Sequence, residues 1–171
     1  MAVRRILHYP DRRLRERARP VPSLTREVEQ LIEDMAETMY AAPGVGLAAT
    51  QIGEPVQVFV IDVAPDGEPS DLRVFLNPEI VEREGSLKYE EGCLSFPGVR
   101  EDVIRAEKVK VRARGQKWEL FELEAEGLLA IAIQHEYDHL NGVLMIDHLG
   151  PLKKRLVHRR MQKRGDATAS L

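Results

Sequence analysis

The chain reads as an α+β fold, and three observations carry that reading. An amphipathic stripe of apolar residues lies near the start. A middle stretch of short apolar or alternating runs follows, broken by Gly and Pro. A nearly continuous apolar segment before residue 134 then gives way to a polar, basic end. Helix, then mostly antiparallel sheet, then helix is the pattern of that class. A length of 171 residues fits one domain, 1–171, long enough to bury a core, with a basic helix and tail from about 151.

The elements follow in order. Ser23 is positioned to cap a helix over 24–41, where Val28, Leu31, Ile32, Met35 and Met39 recur at helical spacing until Pro43-Gly44. That stripe reads as core. The run from Val56 to Val63 reads as a buried strand, followed by a Pro/Asp/Gly turn at 65–69. Val74-Phe75-Leu76 reads as a second short strand, stopped by Asn77-Pro78. The stretch from Ile80 to Gly92 has room for two more, broken near Gly85. Val109, Val111 and Ala113 alternate with Lys110, Arg112 and Arg114, the mark of a half-exposed strand. Leu120 to Leu123 is its hairpin partner across Gly115. A helix runs from about 125 to 140, Asn141-Gly142 makes a turn, and Pro151 opens a last helix at its first position.

Composition excludes some classes. Charged residues at 31% and apolar residues at 43% fit a soluble globular protein. No apolar run reaches 18 residues, so no membrane-spanning helix is expected. The N-terminus lacks the apolar core of a signal peptide. Its arginines suit a transit peptide, which Asp11, Glu16, Pro10 and Pro20 argue against. A lone cysteine cannot form an internal disulfide, so a reducing cytoplasm is the expected compartment. The net charge of −3 hides an asymmetry: residues 1–19 hold seven Arg and two acids, and residues 20–152 hold 11 Lys+Arg against 25 acids. Residues 153–171 hold seven Lys+Arg and one acid. The basic end is either a solvated helix or a docking surface for an anionic partner such as RNA.

The most specific signal is Gln134-His135-Glu136-Tyr137-Asp138-His139, an H-E-x-x-H pattern. On a helix, His135 and His139 share a face and can aim at one metal ion. Glu136, turned about 100° from His135, sits beside that ion, where a general base acts on an attacking water. Two surface histidines would be the plainer reading, but paired His and Glu in an apolar helix need partners to offset their burial. The site wants a third ligand. The metzincin extension places Met145 where a third His is needed, and no Glu follows His139. Cys93, flanked by Gly92 and Leu94, alone reads as a small buried hydrophobe; beside an incomplete two-His site it becomes the best third ligand. The Gly-rich run 44–53 lacks P-loop spacing, but its small residues allow close approach of an extended peptide. Gln51 within it is either a surface amide or a donor to a developing oxyanion.

G-V-G-L-A-A-T-Q at 44–51, E-G-C-L-S at 91–95 and Q-H-E-Y-D-H at 134–139 together resemble the three signature motifs of the peptide deformylases, in order and approximate spacing. His8-Tyr9-Pro10-Asp11 and Leu14 resemble that family's N-terminal segment. The resemblance covers about residues 4–160. It implies removal of the formyl group from the N-terminal formyl-methionine of nascent chains. Cys93, His135 and His139 are the implied metal ligands, and Glu136 the base that passes its proton to the leaving amine. Gln51 and the backbone N–H of Leu94 are the implied oxyanion donors. Substrate is implied to add as a β-strand between the Gly-rich segment and Glu91-Gly92, with the methionine near Val45, Gly46, Leu128 and Ile131, and Arg100 on the peptide backbone. One divalent ion per chain is implied, Fe2+ foremost, with Zn2+, Ni2+ or Co2+ compatible with the same ligands. The basic helix, with Lys153, Lys154, Arg155, Arg159 and Arg160, resembles a ribosome-docking helix of some members. No membrane and no specific DNA partner is implied. Two other classes fit parts of the pattern: a metal-dependent endopeptidase, and a non-enzymatic ribosome-associated factor with a structural metal. The latter needs a fourth protein ligand, and His8, His148 and His158 lie in less apolar contexts.

Overall fold

The computed structural model describes residues 2–169. Helix α1 (Arg26–Ala41) precedes seven strands: β1 (Gly46–Ala48), β2 (Val58–Ile61), β3 (Arg73–Glu84), β4 (Leu87–Cys93), β5 (Phe96–Arg105), β6 (Lys108–Arg114) and β7 (Leu120–Glu126). Helices α2 (Gly127–Leu140) and α3 (Pro151–Ala169) follow. Five strands form an antiparallel sheet in the order β1-β2-β3-β6-β7, and β4 and β5 pair as a separate hairpin.

Strand β2 is buried at every position because both faces of the sheet are covered. Val58 and Val60, with Leu47, Val74 and Leu76, pack with Ile32, Met35 and Met39 of α1. Phe59 and Ile61, with Phe75, Val109 and Val111, pack with Ala130, Ile133 and Leu140 of α2. Helix α2 is therefore sealed into the molecule, which explains its lack of a polar face. A third cluster joins Leu7 and Leu14 of the N-terminal segment to Phe96, Val99 and Val103 of β5 and to Val157 and Met161 of α3.

The structure departs from the sequence-based expectations in four places. Helix α1 starts at Arg26, because the Thr25 hydroxyl, not Ser23, accepts the Val28 N–H; Glu27 and Glu29 then fall in the first turn. Strand β3 runs through Asn77-Pro78 instead of stopping. The register shifts between Leu76 and Glu79, Asn77 takes a φ of 51°, and its side-chain amide bonds both backbone groups of Val21. The expected strand at Val74–Leu76 and the first expected strand after Ile80 are thus one strand. Strand β5 was hidden by Pro97-Gly98 and its charged outward residues. Helix α2 begins two residues later than expected, since β7 continues to Glu126 and Gly127 makes the sharp turn at φ 62°.

Candidate metal centre and active-site cleft

Helix α2 supplies two ligands and the end of β4 supplies the third. The ligand atoms of Cys93, His135 and His139 all lie within 4.8 Å of one another. Cys93 Sγ is 3.4 Å from His139 Nε2. The hairpin makes this possible: the β4–β5 register shifts between Gly92 and Cys93, so the chain turns at the cysteine. His135 donates through Nδ1 to Glu91 Oε1 at 2.8 Å, which leaves its other ring nitrogen for a metal. Burial, reinforced by the neighbouring His135, holds the His139 imidazole well below its usual pKa, so it presents a neutral ring. One thiol and two imidazoles form a donor set that fits a borderline divalent metal. A buried polar atom without a protein partner lies beside the same place: Glu136 Oε1 is unbonded among the described residues.

Glu136 lies against β1. A Cβ added to Gly46 would sit 2.6 Å from Glu136 Oε2, so only glycine leaves room for the carboxylate there. Burial pushes the Glu136 carboxyl up to about 7. A Cβ on Gly44 would likewise meet the Leu94 side chain at 2.7 Å. The Gly-rich segment is thus shaped by what it touches, which spacing alone could not reveal.

Gln51 is buried in a single 3-10 turn (Ala49–Ile52), not exposed at a strand start. Its Oε1 accepts the Ala48 N–H at 2.9 Å, which turns the Nε2 group toward Ser95 Oγ at 3.0 Å and Cys93 Sγ at 3.7 Å. An amide NH2 has two hydrogens: one goes to Ser95, and the other points along the longer contact toward the cysteine, where a reacting group could take it over.

A cleft of about 750 Å³ opens onto these residues. It is lined by Gln51, Cys93, Leu94, His135 and Glu136, and by Val45, Gly46, Glu91, Gly92, Arg100, Leu128 and Ile131, the residues the resemblance assigns to substrate. Edge strand β1 forms one wall and β4 another. Glu91 turns its carboxylate inward, to Arg105 and His135. Arg100 is held by Glu90 at 3.0 Å. Sequence reasoning did not single out Tyr89 or Arg164 at the cleft, nor Arg105 behind it, and His8, set aside as a fourth ligand, lines the cleft. His148 and His158 are engaged elsewhere, with Asp138 and Tyr9.

Comparison with known proteins agrees with this geometry. The sequence model of the family described as polypeptide deformylase matches residues 3–155. "Peptide deformylase 1" of Burkholderia multivorans is 51% identical over 164 residues, 95% of this chain and 90% of that protein. A peptide deformylase of Chromobacterium violaceum is 51% identical over 164 residues, covering 96% and 97%. The crystal structure of a peptide deformylase from Legionella pneumophila superposes with a TM-score of 0.92 at 47% identity, covering 98% of both chains. The chain therefore belongs to the polypeptide deformylase family, whose members remove the formyl group from N-terminal formylmethionine.

Proposed function

We propose that the chain deformylates nascent polypeptides with Cys93, His135 and His139 holding one divalent ion, Fe2+ in the cell, and with Glu136 as general base. The observation that carries this reading is a three-ligand cluster beside an unpartnered buried carboxylate in a cleft open to an extended peptide. When bound, the ion supplies Lewis acidity to the formyl carbonyl and to the attacking water. Glu136 takes the proton of that water on a carboxylate oxygen and returns it to the leaving amine. The Gln51 Nε2 hydrogen on the cysteine side, with the backbone N–H of Leu94, turns to the charge that develops on the formyl oxygen.

The substrate adds as a strand between the edge of β1 at Val45-Gly46 and β4 at Glu91-Gly92, with Arg100 beside its backbone. The methionine side chain lies against Leu128 and Ile131. Residues 1–171 act as one catalytic domain. The exposed cations of α3 dock on ribosomal RNA, consistent with a cytoplasmic enzyme. No helix among the described residues is long and apolar enough to cross a membrane.

The test is a side-by-side assay of formyl-Met peptide and an end-blocked internal peptide, on protein purified without oxygen and analysed for metal. Turnover of the first alone, with iron near one per chain, is the expected result. Cleavage of the internal peptide points to an endopeptidase. Cys93→Ser should lower both metal content and rate, since a serine hydroxyl is a poorer ligand than a thiolate.

A further inference from the structure

We propose that Arg105 is a positioning residue for His135, acting through Glu91 and itself anchored by Asp138 and His148. The inference rests on the assignment of His135 as a metal ligand.

Arg105 ends β5, and its side chain is 5% exposed. Nε and Nη2 reach Glu91 Oε2 and Oε1 at 2.5 and 3.0 Å, a two-pronged contact. Nη1 reaches Asp138 Oδ2 at 2.9 Å, one residue before His139 on α2. That same oxygen receives His148 Nε2 at 2.8 Å, from the turn after the helix. Glu91 Oε1 in turn accepts from His135 Nδ1 at 2.8 Å. An unbroken chain of hydrogen bonds therefore runs from a partly exposed histidine to a buried metal ligand.

Its make-up argues for a geometric task. A buried guanidinium between two carboxylates gains little stability over well-packed apolar residues, because desolvation consumes most of the Coulomb attraction. What apolar residues cannot do is hold a carboxylate at one angle against an imidazole N–H, which fixes the tautomer and the ring plane of a ligating histidine. Glu91 alone could rotate about its last bond. The planar fork of Arg105 locks both oxygens, and Asp138 locks the fork from behind. Lysine, a point charge, cannot serve both carboxylates with this geometry. Glu91 ties β4, Arg105 ties β5 and Asp138 ties α2, so the device also registers the cysteine-bearing hairpin on the histidine-bearing helix.

The experiment uses full-length protein loaded with Zn2+ or Co2+. Zinc affinity is read by chelator competition, ligand geometry by the visible bands of the cobalt form, and folding by thermal melting. Arg105→Met should weaken zinc ~10–100-fold and shift the cobalt bands. Arg105→Lys should recover only part of the loss. Glu91→Ala with Arg105→Met should bind zinc about as well as Glu91→Ala alone, because Arg105 then has nothing left to position. His148→Ala, at the far end, should weaken zinc by about threefold, less than the loss for contacts next to the ligand. Wild-type affinity and bands in Arg105→Met overturn the proposal, and so does a double variant whose loss is the product of the two single losses. If Arg105→Met does not fold, His148→Ala decides: unchanged zinc affinity and bands overturn the chain of positioning. His135→Ala with full zinc affinity would instead remove the ligand assignment beneath it.

Discussion

Two glutamates flank the metal cluster and live in opposite conditions. Behind His135, Glu91 has both oxygens bonded. Burial pushes its carboxyl up, yet the hydrogen bonds from His135 and Arg105 outweigh burial and hold it down at about 2. In front, Glu136 has one oxygen with no partner among the described residues, and burial pushes its carboxyl up to about 7. Both are buried, so burial alone does not separate scaffold from chemistry. Satisfaction does. A buried carboxylate with both oxygens held by protein donors has little capacity left for a substrate, whereas one left short faces the place where an ion and a water are needed.

The largest effect expected from breaking this comparison is on the front carboxylate. Glu136→Ala should keep its metal and lose turnover by ~10²–10⁴, the usual range for a missing general base. Glu91→Gln should do the reverse in kind, with metal affinity falling first. Metal analysis beside a deformylation assay checks both. A Glu136→Ala protein that arrives empty would make Glu136 a ligand and dissolve the contrast.

Gln51→Leu comes next. Its proposed donor meets charge that exists only after attack, so kcat should fall with KM nearly unchanged, by ~10²–10³, or ~2.7–4 kcal/mol. Steady-state kinetics decide, and a pure KM change would move Gln51 to substrate anchoring. Gly46→Ala should act through position. The added methyl would lie 2.6 Å from Glu136 Oε2 and must displace the carboxylate. A displaced base typically costs about 10²-fold in rate with metal retained. A normal rate would mean that the front of the site tolerates a movement that the back does not.

Much of the front was legible in the sequence. H-E-x-x-H in an apolar helix places two histidines on one face and a glutamate beside them by helical geometry alone, and the missing third ligand pointed to Cys93, which the structure brings to the two histidines. The back was not. Arg105 and Asp138 are 33 residues apart, and Glu91 is 44 from His135, so their union depends on how the hairpin docks on α2. No local spacing encodes that. The same holds for β3: Asn77-Pro78 reads as a stop because the bonds that rescue it come from Val21, 56 residues away. Gln51 was ambiguous for a related reason, since one 3-10 turn is too short to leave a periodic signal.

The smallest effect on chemistry is expected from the outer cations of α3. The structure divides its cations. Lys153 is paired with Glu101 at 3.4 Å, and Arg160 reaches toward Gly98 at the cleft wall. Lys154, Arg155 and Arg159 are exposed on the helix, next to the exposed Leu152 and Leu156. Replacing these three cations by Glu should therefore leave hydrolysis of a short formyl-Met peptide within about twofold, as screened surface charges outside the cleft lining contribute little. Ribosome association should weaken instead, and its steep fall with added salt should flatten, because a phosphate that no cation neutralises keeps its counterion. Co-sedimentation with ribosomes at two salt concentrations reads both quantities. Unchanged binding with an unchanged salt slope would leave α3 as a solvated helix. A fall in short-peptide turnover would instead tie this face of the helix to the cleft, through the Tyr9–His158 bond that joins α3 to the Tyr9–Phe96 stack.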